Sequence, residues 1–152
     1  MVPAGLVGWA RVRHRGEVTT TTPEPTATVA PPVRVLVVDD DPELRALYQH
    51  ALGSTDGFEV VAQAVDGLDG VAAARRHAPD LVLLDLMMPV MDGLVALPLI
   101  RDASPNSRVV VVSSLPPGGV AAAALAAGAD AFVPKGQPLG ALVSQVRDVA
   151  RR

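Results

Sequence analysis

Asp39, Asp40 and Asp41 stand in a row, Asp85 stands alone further on, and Ser113 and Lys135 follow. Carboxylates gathered within a few ångströms cannot all ionise without a compensating cation. Either their pKa values rise or a divalent metal binds. Their oxygens are hard ligands that suit Mg2+, an ion that keeps several waters and is often shared with a phosphate. A hydroxyl and an ammonium across the same pocket would hold the other oxygens of a phosphoryl group. If the fold assembles these residues, the chemistry is Mg2+-dependent phosphoryl handling. Of the 13 basic residues only Lys135 is a lysine. A compact ammonium fits beside a crowded phosphoryl group where a planar guanidinium does not.

The surrounding chain predicts how they meet. Short apolar runs at 33–38, 58–64, 81–84, 109–113 and 131–134 alternate with stretches of helical spacing. Three of the runs are almost wholly apolar and Val-rich, as in strands covered on both faces. Leu44, Leu47, Tyr48, Ala51 and Leu52 form one helical stripe, and Leu139, Leu142, Val143, Val146 and Ala150 another. Asp41-Pro42-Glu43 reads as a helix start, with Asp41 as N-cap rather than metal ligand. Asp66 and Asp92 are read as caps of the second and third helices. Right-handed crossovers then give an α/β fold, (βα)5, with a doubly wound five-stranded parallel sheet. In the flavodoxin-like order 2-1-3-4-5, the carboxyl ends of strands 1, 3, 4 and 5 converge on one pocket. Asp39, Asp40, Asp85, Ser113 and Lys135 all sit at those ends.

Residues 1–32 differ. The run EVTTTTPEPTATVAPP has no apolar periodicity, and 1–32 is expected to be a disordered Thr/Pro/Ala-rich tail. The basic cluster Arg11, Arg13, His14 and Arg15 within it is expected to be solvated. The folded unit is expected over 33–152. No apolar stretch approaches the ~20 residues of a membrane span, and the N-terminus lacks a signal-peptide pattern. The chain has no cysteine and a net charge of −3. Thiolate metal sites and cysteine nucleophiles are excluded, and a basic nucleic-acid surface is unsupported.

VRVLVVDDDPELR, PDLVLLDLMMPVMDG, VVVVSS and GADAFVPKG, in that order, resemble the receiver domain of bacterial two-component response regulators. The resemblance covers 33–152. It implies that Asp85 is the phosphoacceptor, taking a phosphoryl group from a sensor histidine kinase or a histidine phosphotransfer protein. It implies Mg2+ held by Asp39, Asp40, Asp85 and the backbone carbonyl of Met87, with Asp40 the more direct ligand of the pair. Ser113 and Lys135 would bind phosphoryl oxygens, and Phe132 matches the aromatic switch position. A downstream protein would dock on the face of helix 4, strand 5 and helix 5. The expected function is a cytoplasmic phosphorelay switch that acts on no external substrate and carries no DNA-binding domain, read as a stand-alone receiver.

Two other readings compete with this one. A metal-dependent aspartyl-phosphate phosphatase would need a second Asp two residues past the nucleophile, where Met87 stands. A degenerate, non-phosphorylated receiver adaptor conflicts with the intact acidic, hydroxyl and lysine set. Three departures from the family pattern carry expectations. Gly136 replaces the usual Pro after the strand-5 lysine, so the Lys135–Gly136 bond should be trans. Pro98 should kink helix 3. Met87 and Leu115 are apolar at positions that tune hydrolysis in the family, so the phosphorylated form should decay slowly.

Overall fold

The computed structural model describes residues 10–12, 18–20, 22–23 and 29–152, the first two groups by backbone alone. The chain divides into two compact units, Met1–Ala30 and Pro31–Arg152. In the first, β1 (Ala10–Val12) pairs antiparallel with β2 (Val18–Thr20), matching Ala10 to Thr20 and Val12 to Val18. The sequence reading places no regular element there. The β-branched Val18, Thr19 and Thr20 favour extended backbone, and that local preference is not visible as apolar periodicity. The rest of the expected tail, His14 and Arg15 included, lies largely outside the described residues.

The second unit alternates strands and helices throughout. β3 (Val33–Val38) leads to α1 (Pro42–Gly53), β4 (Phe58–Ala64) to α2 (Gly67–His77), and β5 (Leu81–Leu84) to α3 (Gly93–Ala103). β6 (Arg108–Ser113) leads to α4 (Gly119–Ala126), and β7 (Ala131–Pro134) to α5 (Leu139–Ala150). All five strands are parallel, in the order β4-β3-β5-β6-β7. Counted within the sheet this is 2-1-3-4-5, the expected doubly wound arrangement.

Alternation along the strands explains why both faces are covered. Leu36, Val38, Val82, Leu84, Val109 and Val111 point to one face and pack with Ala74, Leu97, Ile100 and Ala124 of α2, α3 and α4. Val35, Val37, Leu81, Leu83, Val110 and Val112 point to the other and meet Tyr48 and Leu52 of α1 and Leu142, Val146 and Val149 of α5. Each fully buried Val or Leu contributes roughly 1.5–3 kcal/mol over leaving it exposed. The core is therefore assembled from aliphatic side chains, with Tyr48 and Phe58 as its buried aromatics.

The caps stand where the sequence put them. Asp41 accepts from the Glu43 and Leu44 N–H groups, Asp66 from Asp69, and Asp92 from Val95. α3 spans Pro98 within one continuous helix. There are no cis peptides among the described residues, and Gly136 takes φ +92°, a conformation that suits glycine. No described helix is long and apolar enough to cross a membrane.

Candidate functional site

The sheet register brings three strand ends level. Val38 faces Leu84 across β3 and β5, and Leu84 faces Val111 across β5 and β6. The next residue on β5 is Asp85, whose N–H donates to the Val38 carbonyl at 2.9 Å. Asp39 continues β3, its N–H donating to the Ala64 carbonyl at 3.1 Å. At the far side Ser113 pairs with Pro134, and the Lys135 N–H donates to the Ser113 carbonyl at 2.7 Å. Backbone pairing thus fixes the point from which each functional side chain departs.

Lys135 reaches across the pocket. Its Nζ lies 3.0 Å from Asp39 Oδ2 and 3.2 Å from Asp85 Oδ2. Both carboxylates are buried, at 2% and 4% exposure. Burial raises the pKa of Asp85, the Asp39 charge raises it further, and the Lys135 ammonium pulls the other way. Burial alone would lower Lys135, but the hydrogen bond to Asp39 and the Asp85 and Asp39 charges outweigh it, so its pKa is raised. The ammonium therefore stays charged and partly compensates two buried acids.

Asp40 completes the acidic group. One carboxylate oxygen from each of Asp39, Asp40 and Asp85 lies within 4.8 Å of the others. Asp40 is exposed and its carboxylate makes no hydrogen bond among the described residues. The Met87 carbonyl likewise accepts no bond there. An all-oxygen set with one free carboxylate and one free carbonyl fits a hard divalent cation.

The other expected residues lie on β6, on β7 and in the loop after β5. Ser113 is 1% exposed, and its hydroxyl accepts from the Leu115 N–H at 3.1 Å, leaving its own hydrogen free to donate. Phe132, on β7, is half-buried against the face shared with α4. The Met87 side chain is 59% exposed and lines a groove of about 470 Å3 with Asp40, Met88, Leu94, Leu115 and Val120. Met87 and Leu115 therefore give this side of the site an apolar wall.

Sequence reasoning passed over two residues of α1. Arg45 donates through Nη1 to the Asp39 carbonyl at 2.7 Å. Tyr48 lines a cleft with Lys135 and Leu139, and burial raises its pKa, with the Lys135 charge opposing. Tyr48 was legible only as part of the apolar stripe. Arg45 follows Asp41 by one helical turn, and that spacing was the available signal.

Residues 35–147 match the family model of the response regulator receiver domain. The chain belongs to that family. It is 42% identical over 133 residues to protein-glutamate methylesterase/protein-glutamine glutaminase 5 of Myxococcus xanthus, covering 81% of this chain and 38% of that protein. It is 37% identical over 102 residues to the chemotaxis protein CheY of Bacillus subtilis, covering 67% of this chain and 84% of that protein. Among solved structures it resembles a chain of the CheX-CheY-BeF3-Mg2+ complex from Borrelia burgdorferi. There the TM-score is 0.74 at 30% identity, covering 78% of this chain and 90% of that one. The receiver thus spans well under half of the methylesterase it matches, and the match says nothing of esterase chemistry here.

Proposed function

We propose that this receiver is a phosphorylation-controlled switch, with Asp85 as the acceptor and a histidine kinase or histidine phosphotransfer protein as the donor. The observation that carries the reading is the Asp85 carboxylate, buried at the end of β5 and held at 3.2 Å by Lys135 within a three-carboxylate group. An Asp85 oxygen attacks phosphorus, the phosphorus–nitrogen bond of the donor phosphohistidine breaks, and the released imidazole takes up a proton. Little is asked of the protein beyond positioning and charge stabilisation.

Asp39, Asp40, Asp85 and the Met87 carbonyl are the groups that would hold Mg2+. Bound there, the ion would supply positive charge to the carboxylates and to the incoming phosphoryl oxygens. Lys135 already spans Asp39 and Asp85, and it keeps its ammonium beside the acceptor to pair with a phosphoryl oxygen. The Ser113 hydroxyl donates to another. Its shift toward that oxygen leaves room for Phe132 to turn inward, which alters the surface of α4, β7 and α5 offered to a downstream protein. Met87 and Leu115 present no polar atom from their side chains to orient an attacking water, so the acyl phosphate decays slowly. The chemistry is performed on the protein itself.

The test uses the full chain with Mg2+ and a small acyl-phosphate donor, read by intact mass. One phosphoryl group should be added, and a chelator or Asp85→Asn should abolish it. Full-yield phosphorylation of Asp85→Asn would overturn the assignment.

A further inference from the structure

The loop after β3 is closed into a ring by hydrogen bonds. The Asp41 N–H donates to Asp39 Oδ1 at 2.9 Å. The Arg45 backbone N–H donates to the Asp41 carbonyl at 3.0 Å. The Arg45 side chain then turns back and donates to the Asp39 carbonyl at 2.7 Å. Asp40 is the residue this ring encloses. Its own carboxylate is unbonded among the described residues, so the ring fixes only the backbone from which that carboxylate departs.

The partner Arg45 selects is informative. A guanidinium beside three carboxylates would be expected to pair with one of them. Among the described residues it pairs with none. It takes a peptide carbonyl instead, and the Asp40 carboxylate stays unpaired among the described residues. It also brings a permanent positive charge to an acidic mouth. Asp39 Oδ2 is engaged by Lys135 and Oδ1 by the Asp41 N–H. The Arg45 side chain adds a further tie to the same loop, at the Asp39 carbonyl.

We propose that Arg45 is a positioning residue that clasps the Asp39–Asp41 loop in the conformation that binds a divalent cation. The inference rests on the phosphoryl-switch reading above. Arg45 touches neither metal nor phosphoryl group; it acts by holding the Asp39 peptide. Groups that orient metal ligands from behind are commonly worth about tenfold or more in metal affinity.

Calorimetric titration of Mg2+ into the full chain tests this, with Arg45→Ala and Arg45→Lys beside the unsubstituted protein and thermal melts as the folding control. Arg45→Ala should bind Mg2+ about tenfold more weakly. Arg45→Lys, which keeps a donor of similar reach, should recover most of the loss. At saturating Mg2+, Arg45→Ala should accept a phosphoryl group from an acyl-phosphate donor at the unsubstituted rate. Equal Mg2+ affinity in all three proteins would overturn the proposal. So would a rate loss that saturating Mg2+ does not restore. If the unsubstituted protein binds no Mg2+, the site reading fails, and the clasp is judged by hydrogen exchange at the Asp41 amide. Exchange should be faster in Arg45→Ala, and unchanged exchange would refute the clasp.

Discussion

At the residue scale the site is a question of charge balance. Asp39 and Asp85 are buried, and the Lys135 ammonium bridges them. A divalent cation at the same carboxylates must share them with this internal cation. Removing the ammonium with an apolar side chain of similar length leaves the acidic group less compensated. Lys135→Met should therefore bind Mg2+ about tenfold more tightly, a change of about 1.4 kcal/mol, while losing the response to phosphorylation. Calorimetry measures the first effect and partner binding the second. Unchanged or weaker Mg2+ binding would show that Lys135 does not compete for the carboxylates. The site's charged members were legible because each follows an apolar run, and strand ends are where parallel sheets gather ligands. Arg45 offered only its one-turn spacing from Asp41, because its role depends on a side chain folding back over its own helix terminus.

At the scale of elements, the passage from β5 into α3 carries two constraints. Gly93 sits against the acceptor's own backbone. Its N–H donates to the Leu86 carbonyl at 2.8 Å. A Cβ built there would meet the Asp85 carbonyl oxygen and come within 2.8 Å of Leu86 Cα. Gly93→Ala should cost about 1–3 kcal/mol, as overpacking does, and should displace Asp85. A lower melting temperature with reduced phosphoryl uptake is the expected pair of results, and no change in either would contradict the close approach. Val90 is the second constraint. This β-branched residue holds φ +70° with 78% exposure. A strained left-handed residue costs about 1–3 kcal/mol, of which glycine's own entropy returns only part. Val90→Gly should raise the denaturant midpoint by a stability equivalent of about 1 kcal/mol, and a lower midpoint would show the strain to be absent. Neither constraint was readable from apolar spacing, which reports faces and not backbone sign. The pairing of β1 with β2 escaped for a related reason. Thr is polar by composition but β-branched by shape.

At the scale of the whole molecule, the two ends of the sheet do different work. The carboxyl end gathers the acceptor and its acids. The amino end is tied by Asp130, which receives the Val109 N–H at 2.7 Å and pairs with Arg101 at 3.3 Å and Arg108 at 3.6 Å. Asp130→Ala leaves the buried Val109 N–H without its acceptor, a loss of about 1–3 kcal/mol, while Arg101 and Arg108 keep their bonds to the Ser107 and Arg152 carbonyls. Thermal unfolding should show that loss while phosphoryl uptake at moderate temperature stays at the unsubstituted level. Impaired uptake in the folded variant would mean the two ends are coupled. The five-fold βα alternation and both core faces were legible from period alone, because aliphatic strands covered on both sides leave an unbroken apolar signature. The central claim concerns one atom group at the other end, the Asp85 carboxylate. Its most direct measurement is to phosphorylate the full chain, reduce it with borohydride and map the peptides. An acyl phosphate at Asp85 is converted to homoserine at position 85, and that is the predicted result. Homoserine at Asp39, Asp40 or any other residue, with Asp85 intact, would contradict the account.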